Sequence, residues 1–440
     1  AGERRWARLQ RWLRPGTGIK RWLLLMFIGL TILATAGALL IRILFREVPA
    51  DTLPGQVFEL VSLNFLPDPL RPILVIAIGA GVFLYGLWRL LNALLVPFPT
   101  RREPLVELVY QKRSLARGPH IVAIGGGTGQ STLLRGLKEV TSNITAVVTV
   151  ADDGGSSGKL REQLGVPPVG DIRNCIAALA DAEPAMGSLM QYRFPANEAE
   201  PGVAGHALGN LIIAAMADIT GDFEEGVRGA NRVLAVRGQV VPVAGQALNL
   251  SAELADGSTL DGQSRIGRSR GIRRVWLSPA SIEANREAVE AIRSADLIVL
   301  GPGSLYTSLL PSLLVPGIRS ALEQATGLRV YVANVATQLG ETEGYTLSEH
   351  VAALSAHDVG HLIDVVLAND DTSARVPSGY PAQPVRIDLP RNDARPRLEI
   401  AAVVDPDNAH RHDPQRLTQA LVRLLDERPA ARPVAPVRTA

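Results

Sequence analysis

The chain has 440 residues, of which 47% are apolar, and carries a net charge of +2. This length exceeds one ordinary domain, and the apolar share predicts that part of the chain lies in lipid. The first 21 residues hold seven cations and one anion, a net charge of +6 that leaves −4 for the rest and excludes a nucleic-acid-binding surface there. Cys175 is the only cysteine, which excludes intrachain disulfides and CxxC metal sites.

Two long apolar segments follow this basic arm, at residues 22–45 and 72–96. Each can cross a ~30 Å hydrocarbon core as a helix, so they predict a transmembrane hairpin. A cleaved signal peptide is the alternative for the first segment, although its apolar core would be shorter. Cations flank the hairpin on both outer sides, and its loop has few, which predicts a multi-pass cell-membrane protein with both termini in the cytoplasm.

A polar linker at residues 97–118 leads into a domain at residues 119–427, in which short apolar runs alternate with helical patterns. This alternation predicts an α/β fold with a doubly wound, mainly parallel, Rossmann-like sheet. Residues 240–277 instead alternate apolar and polar side chains around a turn, which predicts a small antiparallel hairpin excursion. The Pro- and Arg-rich tail at residues 428–440 is predicted to be disordered.

Two glycine-rich loops, at residues 125–129 and 301–308, each follow a predicted strand and open a helix. Glycine lets the backbone approach an anion, and the free N–H groups at a helix start favour negative charge. We therefore predict two phosphate cradles that hold one diphosphate between them. A ligand-free tight turn in the first loop and an N-cap role for Ser304 are the structural alternatives.

Asp152 and Asp153 stand at another strand end, before a Gly/Ser loop. Proteins hold Mg²⁺ with one or two carboxylates plus substrate phosphates, so Asp152 is a candidate metal ligand, although turn formation explains the same residues. Two further glycine turns, which contain Asp171 and His206, are predicted to reach the same edge of the sheet. Helix capping by Asp171 and structural hydrogen bonding by His206 are equal alternatives to a functional role. No GxSxG elbow is present, and no catalytic residue is assigned.

Six motifs occur in the order GGGTG, DDGGSSG, GDIRN, GHALGN, GPGSLYTSLLP and NVATQLGETEGY. Together they resemble the bacterial gluconeogenesis factor family, which is related to the 2-phospho-L-lactate transferases of the CofD-like superfamily. The resemblance covers residues 120–426. It implies binding of a UDP-sugar, UDP-N-acetylglucosamine in particular, and a link to carbon metabolism, cell-wall synthesis and cell shape, with no established catalysis.

The resemblance also implies where the ligand lies. The two glycine loops would line the nucleotide diphosphate, and asparagines at strand and helix ends would complete the pocket. The transferase relatives hold a divalent metal through an aspartate that Asp152 or Asp153 matches by position. The complete set of candidate ligand-binding residues is Gly126, Gly127, Thr128, Gly129, Asp153, Asn174, Asn210, Gly303, Ser304, Leu305, Asn334, Thr337 and Gln338.

Two functions follow as hypotheses. The first is a membrane-anchored, UDP-sugar-binding regulatory protein, with the inner membrane and regulators of cell-wall synthesis as expected partners, homo-oligomerisation expected and no nucleic acid. The second is a Mg²⁺-dependent phosphotransferase that resembles 2-phospho-L-lactate transferase, with Asp152 as the metal ligand. A domain whose glycine loops are only structural is the third reading.

Overall fold

The computed structural model describes residues 113–181, 183–195, 203–371, 382–390 and 395–427, with isolated positions before residue 113 and at residue 374. The chain divides into two compact units, Ala1–Arg113 and Ser114–Ala440. The predicted basic arm, transmembrane segments and C-terminal tail lie outside the described residues, apart from single positions. Among the residues that are described, no helix is long and apolar enough to cross a membrane.

The second unit is built around a seven-stranded sheet in which every neighbouring pair is parallel. The strands are β1 (Ile121–Gly125), β2 (Ile144–Val148), β3 (Gln239–Pro242), β7 (Leu297–Leu300), β8 (Leu328–Val332), β9 (Val365–Asn369) and β10 (Arg397–Ala401). Their order across the sheet is β10-β9-β8-β7-β1-β2-β3. The central strands β1, β2 and β7 are buried along their whole length, as in sheets covered on both faces.

Helices cover both faces of this sheet. The connections from β1 and from β7 step toward opposite edges of the sheet, and right-handed crossovers in opposite directions place their helices on opposite faces. The helices are α1 (Gly127–Leu137), α2 (Gly155–Leu164), α3 (Gly170–Leu179), α4 (Glu183–Gln191), α5 (Leu208–Thr220), α6 (Phe223–Val233), α7 (Gln263–Ile266), α8 (Arg286–Ser294), α9 (Leu310–Leu313), α10 (Pro316–Gln324), α11 (Leu347–Ala356) and α12 (Pro414–Asp426). A π-helical turn, Leu305–Leu309, runs directly into α9. The prediction of a doubly wound α/β fold is confirmed, and the main sheet is wholly parallel.

The predicted antiparallel excursion is present as a three-stranded sheet. Its strands are β4 (Asn249–Leu254), β5 (Thr259–Asp261) and β6 (Ile272–Ser278), in the order β5-β4-β6. The turn between β4 and β5 contains Gly257 at φ +80°, a conformation that glycine adopts without strain. The excursion begins later than predicted, because Val240 already belongs to β3 of the parallel sheet.

The C-terminal part of the unit adds a small hairpin, β11 (Val404–Asp405) and β12 (Asn408–His412). Asp413 then caps α12 by accepting hydrogen bonds from the Gln415 and Arg416 amides at 2.9 and 2.8 Å. Helix α12 packs against α1 with its apolar face, where Leu417 and Leu421 are fully buried. This packing fixes β12 beside the loop that opens α1.

Candidate functional site

The strand order reverses between β1 and β7, which lie side by side at the centre of the sheet. Connections from β1 lead outward to β2 and β3, whereas those from β7 lead the opposite way to β8 and β9. Ligands of open α/β sheets bind outside the carboxyl ends of the strands at such a switch point. Ile124 pairs with both Val147 and Leu300, so the loops that follow these strands emerge together.

A cleft of ≈ 1180 Å³, a volume that includes its open mouth, lies at this switch point. Nine of the predicted ligand-binding residues line it: Gly126, Gly127, Thr128, Gly129, Gly303, Ser304, Asn334, Thr337 and Gln338. The structure therefore brings together the two glycine loops and the polar end of β8, which lie far apart in the sequence.

The first glycine loop has a conformation that depends on glycine. Gly127 has φ +70°, in the region that L-residues rarely adopt. A Cβ atom on Gly129 would lie 2.6 Å from the Pro302 carbonyl oxygen, so the backbones of the two loops touch. Helix α1 begins at Gly127, and its N-cap residue Gly126 supplies no side-chain cap. The first-turn amides of Thr128 and Gly129 have no intrahelical acceptor and are available to an anion.

Two protein carboxylates occupy other amides at these helix starts. Asp171 accepts a hydrogen bond from the Gly127 amide. Glu341 accepts hydrogen bonds from the Tyr306 and Thr307 amides at 2.6 and 3.2 Å, and from the Thr307 hydroxyl at 2.9 Å. Burial raises the pKa of Glu341 to about 7, against the lowering effect of these donors. The amides that the second loop was predicted to offer to phosphate are thus partly used within the protein.

The opposite wall of the cleft comes from β12, with Asn408, His410, Arg411 and His412. Arg411 is exposed and is the only arginine or lysine among the described residues that line the cleft. His412 is buried, and burial lowers its pKa to about 4, so it is neutral and its Nε2–H donates to the Ala333 carbonyl at 3.2 Å. No carboxylate belongs to the described lining, which makes the cleft suited to an anion.

Sequence reasoning missed Arg411 as a functional residue. No motif chemistry connects the Arg-His-Asp sequence at residues 411–413 to the glycine loops. Only the docking of α12 on α1 places β12 across the cleft from Thr128.

Five predicted residues lie outside the described lining of this cleft. The Leu305 side chain is 1% exposed and packs in the core, and its ligand contact stays a prediction. Asp153 accepts a hydrogen bond from the Ser264 amide at 2.8 Å and thereby joins the main sheet to α7. Asn174 accepts hydrogen bonds from Arg173 at 3.0 Å and from Gln191 at 2.8 Å.

Of the remaining two, Asp152 accepts a hydrogen bond from the Gly154 amide, and Asn210 belongs to a buried polar network at the start of α2 and α5. Asn210 accepts from Arg173 at 3.2 Å and donates to the Ser156 hydroxyl at 3.0 Å. The Ser156 hydroxyl lies 3.1 Å from His206 Nδ1, and burial lowers the pKa of His206, which favours a neutral ring that accepts this hydrogen bond. His206 thus has a structural hydrogen-bond partner in Ser156, and a functional role for His206 stays a prediction.

Two carboxylates, Asp152 and Asp171, lie close enough for the charge of Asp152 to act on Asp171. Burial raises the pKa of Asp171 to about 6, and the nearby Asp152 carboxylate contributes to this rise. Burial also raises the pKa of Asp152, although the Gly154 amide donates to it at 2.9 Å. Two carboxylates beside a phosphate cradle fit the donor set of Mg²⁺, which completes its shell with phosphate oxygens and water. Within the described residues, no group of three or more His, Cys, Asp or Glu could hold a metal ion.

The raised pKa of Asp171 has a consequence for stability. The Asp171 carboxyl loses its proton near pH 3.8 in the unfolded chain and near pH 6 in the native domain. Its contribution to the free energy of unfolding is therefore fully present below pH 3.8 and is lost as the pH rises through 6. Asp171→Asn keeps an acceptor for the Gly127 amide without the charge. We expect the unfolding free energy of this variant, relative to the unaltered chain, to rise by about 1–2 kcal/mol between pH 4 and pH 8.

Urea unfolding followed by circular dichroism at several pH values measures this trend. Asp256→Asn is the matched control, because the Ser258 hydroxyl and amide hold the pKa of the exposed Asp256 below its usual value. The stability of this control relative to the unaltered chain should stay nearly constant between pH 4 and pH 8, and should move in the opposite direction only below about pH 4. A pH-independent difference for Asp171→Asn would contradict the expectation.

These features define a doubly wound α/β protein with a polar, carboxylate-free described cleft at the topological switch point. Residues 121–404 match the family described as 2-phospho-L-lactate transferase CofD. The gluconeogenesis factor of Bacillus subtilis (strain 168) is 46% identical over 321 residues, which cover 71% of this chain and 100% of that protein. The chain belongs to the gluconeogenesis factor family, within the CofD-like superfamily.

Two further comparisons agree with this assignment. A relative from Nostoc sp. (strain PCC 7120) is 44% identical over 432 residues, covering 94% of this chain and 92% of its own. The crystal structure of a UPF0052 family member from Bacillus halodurans is 42% identical, covers 70% of this chain and 99% of its own, and superposes with a TM-score of 0.64. The predicted family resemblance is thereby confirmed.

Proposed function

We propose that the cleft binds a nucleoside diphosphate sugar, UDP-N-acetylglucosamine in particular, and that the protein is a regulator rather than an enzyme. One observation carries the proposal: the described lining combines helix-start amides, hydroxyls, asparagines and Arg411, and contains no carboxylate. Amides at a helix N-terminus and an arginine both favour phosphate oxygens. Asparagine and glutamine side chains both donate and accept, which suits sugar hydroxyls and base edges.

The regulatory part of the proposal draws on the family. Its members carry the name gluconeogenesis factor, and the motif resemblance links them to carbon metabolism, cell-wall synthesis and cell shape. A protein that binds a UDP-sugar precursor of the wall without consuming it would report the supply of that precursor. Regulators of cell-wall synthesis are the partners we expect.

Isothermal titration of the purified 440-residue chain with UDP-N-acetylglucosamine tests the binding. We expect saturable binding, and we expect the ligand to be recovered intact after long incubation with and without Mg²⁺. Binding of a different class of nucleotide with no response to UDP-N-acetylglucosamine would refute the proposed ligand. Guanosine diphosphate mannose, which has the same diphosphate but a different base and sugar, is the matched control ligand.

We also propose that residues 22–45 and 72–96 anchor the protein in the cell membrane with the α/β domain in the cytoplasm. The support is their apolar length and the cations that flank them. The alignment with the Nostoc relative spans 94% of this chain and that with the B. subtilis relative 71%, so some relatives share the N-terminal segment. Membrane pellets washed with alkaline carbonate should retain the chain; its complete release would contradict the anchor.

A Mg²⁺-dependent phosphotransferase is the second candidate, and the neighbouring carboxylates of Asp152 and Asp171 favour it. In that reaction a P–O bond of a nucleoside diphosphate donor would break while one forms to an acceptor hydroxyl, which loses its proton. The two carboxylates would hold the metal, and the metal would offset charge on the transferred group.

Turnover of the donor with Mg²⁺ decides between the two candidates. If the protein is an enzyme, Asp152→Asn should lower the rate by at least about 100-fold, because one of the two candidate metal ligands loses its charge. Asp153→Asn is the matched control, since Asp153 accepts a hydrogen bond from the Ser264 amide, and Asp152 rather than Asp153 contributes to the raised pKa of Asp171. Absence of any donor consumption by the unaltered chain would exclude this candidate.

A further inference from the structure

A short chain of hydrogen bonds leads from a buried carboxylate to the wall of the cleft. Glu341, which is 1% exposed, accepts a hydrogen bond from Gln338 Nε2 at 3.1 Å. The Ser304 hydroxyl donates to Gln338 Oε1 at 2.8 Å. Ser304 and Gln338 both line the cleft, whereas Glu341 lies behind them. The three residues come from the loops after β7 and β8, on one side of the switch point.

The direction of each bond in this chain is fixed by Glu341. In its ionised form the carboxylate acts only as an acceptor, and it also accepts from the Tyr306 and Thr307 amides and from the Thr307 hydroxyl. Gln338 must therefore turn its NH₂ group toward Glu341, because its carbonyl oxygen would be repelled there. That orientation turns the Gln338 carbonyl oxygen toward Ser304. The Ser304 hydroxyl therefore donates its only proton to this oxygen.

Ser304 consequently has no proton left for a ligand and presents only lone pairs to the cleft. A fully ionised phosphate oxygen also has only lone pairs, so it would be repelled at this position. We propose that Ser304 is a specificity-determining residue that accepts a hydrogen bond from a sugar hydroxyl or amide N–H of the ligand, and that Glu341 is the positioning residue that sets this polarity.

This inference rests on the proposed function and refines it. Within a nucleoside diphosphate sugar, the ribose and the pendant sugar are the groups attached directly to the diphosphate. Ser304 follows Gly303, at which a Cβ atom would lie 3.1 Å from the Gly126 carbonyl, so it stands beside the first glycine loop. A group that contacts Ser304 next to the phosphate cradle therefore belongs to one of these two sugars. The role differs from the phosphate contact that the loop sequence alone predicts for Ser304.

The contact between Ser304 and a sugar is tested with ligand analogues, each of which lacks one group of hydrogen-bond donors. The parent ligand is UDP-N-acetylglucosamine, and the analogues are UDP, which lacks the pendant sugar, and the 2′-deoxy and 3′-deoxy forms of the parent. Titrations of the 440-residue chain are made at pH 8.5, where Glu341 is ionised. We expect Ser304→Ala to lower the affinity for the parent about three- to tenfold, as for one neutral hydrogen bond. For the analogue that lacks the contacted donor, the same substitution should change nothing.

The outcomes separate this inference from the function on which it rests. If Ser304→Ala weakens all four ligands by the same factor, Ser304 contacts a group common to all, such as phosphate, and the inference is wrong. It is also wrong if Ser304→Ala leaves the parent unaffected. If the unaltered chain binds none of the four ligands, the proposed function fails and the inference fails with it.

A second variant tests the positioning role of Glu341. Glu341→Gln supplies a donor as well as an acceptor, which allows the Gln338 amide to reverse and frees the Ser304 proton for phosphate. We expect the preference for the parent over the analogue that lacks the contacted donor to fall about three- to tenfold. Thr307→Val is the matched control, because it removes one donor to Glu341 but leaves Gln338 and Ser304 in place. An equal fall in both variants would show a general structural effect and overturn the positioning role.

Discussion

Arg411→Ala should lower the affinity for UDP-N-acetylglucosamine about 10- to 100-fold, while the thermal stability of the domain stays unchanged. Arg411 supplies the one arginine or lysine charge in the described lining of the cleft, and a hydrogen bond to a charged group contributes about 1.5–3 kcal/mol. Its side chain is exposed, so its removal leaves no cavity. Titration calorimetry and a thermal melt measure the two quantities.

Two control variants make the Arg411 result specific. Arg411→Lys keeps the charge but not the planar fork that binds phosphate through two N–H groups, and should recover part of the affinity. Arg293→Ala removes an exposed arginine from the last turn of α8, which leads into the amino end of β7 and so lies at the opposite edge of the sheet. An equal loss in Arg293→Ala would show that only the net charge of the domain matters.

Gly129→Ala should abolish detectable nucleotide binding and destabilise the domain by about 1–3 kcal/mol. The new Cβ atom would lie 2.6 Å from the Pro302 carbonyl oxygen and 3.2 Å from the Gly303 amide nitrogen, both of which are backbone atoms. The two glycine loops would have to separate to relieve this overlap, and the amides that face the diphosphate would lose their spacing. Titration calorimetry and urea unfolding check both effects.

Gly187→Ala is the control for this substitution. Gly187 lies in α4, where an added Cβ atom meets no other atom within 4 Å. Alanine is the better helix former, so stability should be unchanged or rise by up to about 1 kcal/mol, and binding should be unaffected. Full binding by Gly129→Ala would contradict the close approach of the two loops as a requirement of the site.

Much of the fold could be predicted because its signals are local. The apolar runs around Ile121 and Leu297 are short and uninterrupted, which is typical of strands buried on both faces. The turn at Asp256 and Gly257 identified the antiparallel excursion. Two strands of the main sheet were not predicted as such. The residues of β3 were assigned to the antiparallel excursion, whereas β10 is a partly buried edge strand with a weak apolar pattern.

The candidate site was predicted in part. The glycine loops and the polar end of β8 were recognised because chemistry-bearing residues at strand ends meet in a parallel sheet. The Leu305 side chain is buried in the core, which a loop sequence alone does not reveal. The sequence did not reveal that Asp171 and Glu341 accept hydrogen bonds from amides at helix starts. Each carboxylate is far along the chain from the amides that donate to it.

By itself, the sequence determined the fold class, the family and the two loops that leave adjacent strands, because backbone conformation and hydrophobic periodicity are local properties. Tertiary structure decided which groups complete the cleft. The docking of α12 on α1 brings Arg411 opposite the first loop, and Glu341 folds behind the second. Both placements depend on burial of apolar surface between distant segments. They decide the sign of the charge in the cleft and the direction in which Ser304 can form a hydrogen bond.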